Sequence, residues 1–377
     1  MAEARISLDY EADMARAAAL RMPPKVDIPS NMMAAAKSGM RGFQLFREQT
    51  RLIFGHNKLT ADEYYYYRLY DPEYSLEKKC QFVGLRAQSR FHQECNDEGW
   101  HAITNDKMNF YGLMEAQNVR VPKVHAAYCE GIRRFHVETM RSIEELKRYL
   151  FTKCPMPCFA KPVDGMYSIG AFDIAKIDEK DTHLGTGDLI ATKEFLSYVK
   201  NYAETGYLFQ ERLAPHGKLA KSFGPTLGCV RALVLVSDKA RLASAVFKIP
   251  SGQNVADNYW RSGNMLAALD AKSGKFLRVV SGTGMNLQVH DKHPVTGESF
   301  AGMKLPDWKE VLALCSEAPK VFPEVKTQSW DIALTEKGPI VLEVNWGGDL
   351  NLHQIAHGQG ILRGDYLEHL KKAGVKI

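Results

Sequence analysis

Residues 329–354 read SWDIALTEKGPIVLEVNWGGDLNLHQ. Two apolar runs flank a polar Glu336-Lys337-Gly338 step, which predicts an antiparallel hairpin. Side chains two apart on a strand share a face, so Glu343 and Asn345 project together, and a turn near Lys337 brings Asp331 opposite them. Three oxygen donors then converge on a rigid sheet. Such a set suits Mg²⁺, which is usually held by one or two carboxylates plus substrate phosphates. Read alone, the hairpin is equally compatible with surface charges on an ordinary ribbon. The flanks favour the metal, because a strand as apolar as IVLEVNW buries a carboxylate and an amide only at a cost unless they find partners.

Upstream, CFAKPVDGMYSIGAFDI (158–174) places Lys161 at the end of a strand, before a small loop containing Gly165, Ser168 and Gly170. Glycines let backbone N–H groups approach phosphate oxygens, and the lysine adds a point charge. No helix-opening GK[ST] follows, so this is not a Walker loop, and by itself it reads as an ordinary glycine turn. YLFQERLAP (207–215) is an apolar strand ending in Gln210, Glu211, Arg212 and Leu213. Such a segment can offer an adenine edge its backbone groups, with Gln210 or Glu211 near the exocyclic amine. NDKMNFYGLMEAQNVRVPK (105–123) opens a helix at Lys107 and ends in a Val-Arg-Val-Pro strand start; a solvated lysine is its default reading.

The remaining chain bounds the class. Its 377 residues have room for two or three domain-sized units, and 45% hydrophobic with 25% charged residues is a globular composition. Residues 1–104 show apolar positions at helical spacing, and Thr60 followed by Glu63 is a capping-box signature. After residue 105, runs such as VRALVLV and ASAVFKI read as strands, while KEFLSYVKNYA and WKEVLALCSEAP read as helices, giving an α+β body. The net charge of +5 comes from 49 bases and 44 acids without blocks, which excludes the basic stripe of a nucleic-acid binder. No run approaches the roughly 20 apolar residues of a membrane span, and the N-terminus lacks a signal-peptide core, so a cytoplasmic location is expected. Seven scattered cysteines argue for reduced thiols, and the single close pair, Cys154 and Cys158, lacks the second pair a zinc site needs.

Taken in order, Asp106-Lys107, Lys161-Pro162 with its glycine loop, the Gln210–Leu213 segment and Asp331…Glu343-x-Asn345 resemble the ATP-grasp superfamily. The text EYYYYRLYD, FQERLAPH, ADNYWRSGN, HPVTGESFAG and LPDWKEV is most similar to the sugar-transfer-associated ATP-grasp family. That resemblance implies two α+β lobes sandwiching ATP, here residues 105–208 and 209–377, preceded by the helical region 1–104. It implies that Lys107 and Lys161 contact the nucleotide, that Gly165, Ser168 and Gly170 cover its phosphates, and that Gln210, Glu211 and Leu213 form the adenine hinge. Asp331, Glu343 and Asn345 match the metal ligands for two Mg²⁺ ions, with Mn²⁺ as an alternative. Arg231 and Lys248 match basic positions facing the γ-phosphate and an acyl phosphate. After Asp257-Asn258, where the family often has a double glycine, this chain has YWRSGN, so the acceptor side differs. The implied reaction joins a small-molecule carboxylate to an amine through an acyl phosphate, and a kinase acting on a hydroxyl is the alternative.

Overall fold

The computed structural model describes residues 4–250, 259–260 and 263–377. Its body is two seven-stranded sheets. The first comprises β1 (Val124–Tyr128), β2 (Glu138–Met140), β3 (Cys158–Pro162), β4 (Phe172–Ile177), β5 (Asp181–Leu184), β6 (Leu189–Ala191) and β7 (Tyr207–Glu211). Their order is β2-β1-β7-β3-β4-β5-β6, antiparallel except for β1 with β2. The second comprises β8 (Cys229–Val236), β9 (Ala240–Ile249), β10 (Met265–Leu269), β11 (Phe276–Ser281), β12 (Gln288–Val289), β13 (Thr327–Thr335) and β14 (Gly338–Trp346). It is antiparallel throughout, in the order β12-β11-β10-β9-β8-β13-β14. β7 belongs wholly to the first sheet, which therefore runs to Glu211, past the division expected at residue 208.

Burial explains why the strand runs are so apolar. All nine residues of β13 are buried, because the strand is internal to its sheet and both faces are covered. Val230, Ala232, Phe247, Trp330 and Ile332 share one core with the helix Trp308–Glu317. On β8, β9 and β13 the alternate residues Arg231, Lys248 and Asp331 carry the charge to the other face. The pairing of β1 begins at Val124 and not at Val119, since Pro122 has no N–H to donate to a ladder. Instead the Arg120 carbonyl accepts from the Val341 N–H (2.9 Å), setting this segment beside β14.

Helices α1 (Tyr10–Leu20), α2 (Ile28–Lys37), α3 (Gly42–Phe54) and α4 (Ala61–Tyr66) form most of the N-terminal region, followed by the helix Leu85–Cys95. α4 starts where the capping box puts it: Thr60 accepts from the Glu63 N–H and Glu63 returns a bond to the Thr60 N–H. Tyr64, Tyr65, Tyr66 and Tyr67 are all buried, in a core shared with Val246, Leu266, Ala268 and Val280 of the second sheet. Gln354 fastens the same junction, accepting from the Val83 N–H (2.8 Å) and donating to its carbonyl (3.0 Å). The helical region is thus packed on the sheet, as the absence of any low-complexity linker implies. No helix among the described residues is long and apolar enough to cross a membrane.

Candidate active site

The β13–β14 hairpin has the register its sequence demands. Asp331 pairs with Glu343 and Ser329 with Asn345, and a bulge after Asp331 sets Ile332 against Val341. Asn345 Nδ2 donates to Glu343 Oε1 (3.3 Å), so the amide and the carboxylate stand on one face. On the next strands, Arg231 lies directly across from Asp331 and Lys248 reaches over from β9. The Arg231 guanidinium forms a two-pronged pair with the Asp331 carboxylate, and Lys248 Nζ donates to Asp331 Oδ2 (3.0 Å). Burial pushes the Asp331 carboxyl up, but Arg231 and Lys248 outweigh it and hold the group at about 2. Asp331 is therefore an anion held between two cations, both of which also line the cavity.

Two lysines approach from the other side. Lys107 is the first residue of a helix (Lys107–Ala116) capped by Asp106, and its ammonium donates to the Gly165 carbonyl (2.6 Å) and lies 3.9 Å from Glu343 Oε2. Lys161 leaves β3 toward the hairpin and donates to the Tyr111 hydroxyl (3.0 Å), which in turn donates to the Leu342 carbonyl (3.0 Å). Burial lowers both ammonium groups against the pull of Glu343, Lys161 to about 8. The loop after β3 bends through positive φ at Tyr167, Ser168 and Gly170.

Lys107, Lys161, Gly165, Ser168, Arg231, Lys248, Asp331, Glu343 and Asn345 all line a single cavity of about 750 Å³. Four other residues proposed from sequence do not. Gly170 is built into the base of its loop: its carbonyl accepts from Tyr207 Oη (2.6 Å), and a Cβ there would meet Tyr202 Oη at 2.7 Å. Gln210 is buried behind the wall, 3.4 Å from Tyr111 Oη. The Glu211 carboxylate accepts from the Lys123 N–H (2.8 Å), and Leu213 lies beyond the end of β7. Asp257 and Asn258 lie outside the described residues.

The cavity also takes residues that sequence reasoning passed over. Tyr66, Tyr259, Thr283 and Arg21 line it, as does Asp349, which caps the helix Leu350–His357 through the Asn351 N–H (3.0 Å). Burial raises the Asp349 carboxyl, and the Arg231 charge only partly offsets this. The available signal was the Gly-Gly-Asp step directly after the hairpin, where paired glycines at positive φ turn the chain and deliver an acid to a helix start. Among the described lining residues, Arg21, Lys107, Lys161, Arg231 and Lys248 face Asp331, Glu343 and Asp349, an excess of cations suited to an anionic ligand.

The donor set has the chemistry of a divalent-cation site. Glu343 and Asn345 present oxygens on one face, and Asp331 accepts three hydrogen bonds of the about four its lone pairs allow. Hard oxygen donors with a spare acceptor position fit Mg²⁺. His, Cys, Asp and Glu alone form no metal-binding cluster among the described residues, so the asparagine and a ligand's own oxygens are needed to complete the shell.

Two mainly antiparallel sheets, each with helices at its back and a shared cation-rich cavity between them, define an ATP-grasp protein. Residues 86–372 match the family described as sugar-transfer associated ATP-grasp, and the chain belongs to that family. No curated protein matches the chain. Among solved structures it resembles the VanG D-Ala:D-Ser ligase from Enterococcus faecalis, with 13% identity over 73% of this chain and 62% of that one and a TM-score of 0.43. An L-amino acid ligase from Bacillus licheniformis is similar at 11% identity over 73% and 51% of the two chains, TM-score 0.40. The D-alanine-D-alanine ligase from Coxiella burnetii follows at 13% identity over 73% and 57%, TM-score 0.38. The matched part thus spans less than two thirds of each of these proteins.

Proposed function

We propose that this chain is an ATP- and Mg²⁺-dependent ligase that activates a small-molecule carboxylate as an acyl phosphate and passes the acyl group to an amine. The observation that carries the reading is the single cavity in which lysines from the first sheet's side meet the carboxylates, amide and paired cations of the second. Family membership supports the nucleotide.

In this reading Lys107 and Lys161 bind the phosphates of ATP, with the Gly165–Ser168 loop over them. Glu343 and Asn345, with the spare position on Asp331, hold Mg²⁺, which when bound neutralises the charge on the β- and γ-phosphates. Arg231 and Lys248 keep Asp331 ionised and lie where a negative charge develops. The substrate carboxylate attacks the γ-phosphorus, the bond to the bridging oxygen breaks, and ADP leaves. The protein's part is positioning and charge stabilisation, as in other phosphoryl transfers. An amine then attacks the acyl carbon and expels phosphate. Asp349, a carboxylate made more basic by burial, receives the proton the amine sheds. Gln210, Glu211 and Leu213 stay in the proposal only as backbone neighbours of the adenine, since their side chains are engaged elsewhere or outside the cavity.

The test is ADP release by the purified chain with Mg²⁺ and a panel of amino acids, uronic acids and amines, run with and without hydroxylamine. Hydroxamate formation that needs a carboxylate and ATP supports the ligase. ADP release with a stable phosphate ester and no hydroxamate would establish the kinase instead, and no ATP binding with Mg²⁺ present would remove both.

A further inference from the structure

The helix α3 (Gly42–Phe54) has one face that no described residue covers. Its inner face, Leu45, Glu48 and Leu52, is buried. On the opposite side, at spacings of three, seven and eleven, stand Phe43, Phe46, Thr50 and Phe54, and the three phenylalanines are 79%, 69% and 77% exposed. The preceding helix α2 adds Met32 and Met33, 50% and 60% exposed. Single exposed apolar residues are ordinary, but a stripe of aromatic rings along one helix is the mark of an interaction surface.

The exposed charges along α3 and the turns on either side of it are cationic, and α2 brings one exposed acid, Asp27 at its N-cap. Between residues 28 and 60 the bases are Lys37, Arg41, Arg47, Arg51 and Lys58, all exposed, and none forms an ion pair among the described residues. The only acid in that span, Glu48, is buried and bound to Lys79 (2.7 Å) and Tyr64 (2.8 Å). A second copy of the chain docking on this face by two-fold symmetry would set five cations against five cations. An anionic surface would be met by all of them. Exposed phenylalanines flanked by arginine and lysine on an amphipathic helix are what lies in the headgroup layer of a membrane, with rings in the acyl boundary and bases among the phosphates. None of these residues lines the cavity, so the surface is separate from the proposed active site.

We propose that α3, together with α2, docks this protein on an anionic phospholipid bilayer. Phe43, Phe46 and Phe54 enter the interface, and Lys37, Arg41, Arg47, Arg51 and Lys58 contact the headgroups. Attachment is peripheral, since no described helix can span a bilayer. The inference does not rest on the ligase reading.

The test is co-sedimentation of the full chain with vesicles of phosphatidylcholine alone and with added phosphatidylserine or phosphatidylglycerol. The expected result is binding to the anionic vesicles only, weakened at least tenfold by raising salt from 50 to ~500 mM, as screening of surface charge requires. Phe43→Ser/Phe46→Ser/Phe54→Ser and, separately, Arg47→Glu/Arg51→Glu should each lower binding at least tenfold while thermal melting and ATP binding in solution stay as in the wild type. Equal binding to neutral vesicles, no binding to either kind, or unaltered binding by both variants would overturn the proposal. So would a wild-type dimer in sedimentation velocity that becomes a monomer in the phenylalanine variant, since the stripe would then be an interface between copies.

Discussion

Lys161 and Glu343 are the residues on which the proposed chemistry is most exposed to test. Lys161 stands near the end of β3 and Glu343 within β14, both line the cavity, and each presents charge where transferred phosphate would carry the opposite sign or its counterion. Removing one group aimed at developing charge typically costs ~2.7–4 kcal/mol, a hundred- to thousandfold in rate. Lys161→Ala and Glu343→Gln are expected to lose at least a hundredfold in ADP release with unchanged circular dichroism. The lysine also sets a pH dependence. Its native value is about 8, whereas in the unfolded chain a lysine keeps its proton to about pH 10.4. Between those values the unfolded state binds more protons, so stability rises with pH across the window, while affinity for an anionic nucleotide falls as the native ammonium is lost. Titrating a non-hydrolysable ATP analogue at pH 7 and at pH 9.5 should show that fall in the wild type and a smaller one in Lys161→Ala. These two residues were legible in the sequence because a lysine before a glycine loop and a carboxylate inside an apolar strand are both locally conspicuous. Asp349 and Tyr66 were not, since 283 positions separate them in the chain and only the packing of α4's end against the second sheet brings them to one cavity.

The β13–β14 hairpin and its neighbours make a sharper distinction between holding the fold and performing a reaction. Strand patterning foretold which residues share a face, because the alternation of side chains on a strand is geometric. It was silent on which strand lies beside β13, and that placement decides that Arg231 and Lys248 spend their charge on Asp331. Breaking a buried ion pair by removing one partner typically costs about 3–5 kcal/mol. Asp331→Asn should therefore lower the urea midpoint clearly, unlike Glu343→Gln, although both sit at the same rung of the same ribbon. The first sheet was less readable. Its short strands β2, β5 and β6 carry three or four residues each, too few for a periodic signal to stand above a loop. Gln354 belongs to this scale as well, because its amide satisfies both backbone groups of Val83. Gln354→Ala leaves a buried N–H and C=O without partners and is expected to cost about 1–3 kcal/mol in equilibrium unfolding.

Across the whole molecule the N-terminal region does not behave as an appendage. Tyr64 to Tyr67 occupy the same face of the second sheet that carries Lys248 and Asp331 further along, so helices cover one part of that face and the cavity the other. Deleting residues 1–84 would strip four buried tyrosines from the sheet, and the truncated chain is expected to aggregate on expression, as a soluble-fraction assay would show. The start of the chain is fastened elsewhere. Ile6 donates to the Leu189 carbonyl (2.9 Å), Leu8 to Glu194 (2.6 Å), and Tyr10 packs edge-on against Tyr198 and Tyr202, all in the first half of the body. Val26 is already bonded to Asp62 (3.1 Å) of α4, the helix that packs on the second sheet. Leu20, Arg21, Met22 and Pro24 run between these anchorages along the cavity wall. That short traverse works as a drawbar along one wall of the cavity, beside the two other crossings the chain makes between the halves, before Val124 and between Glu211 and Cys229.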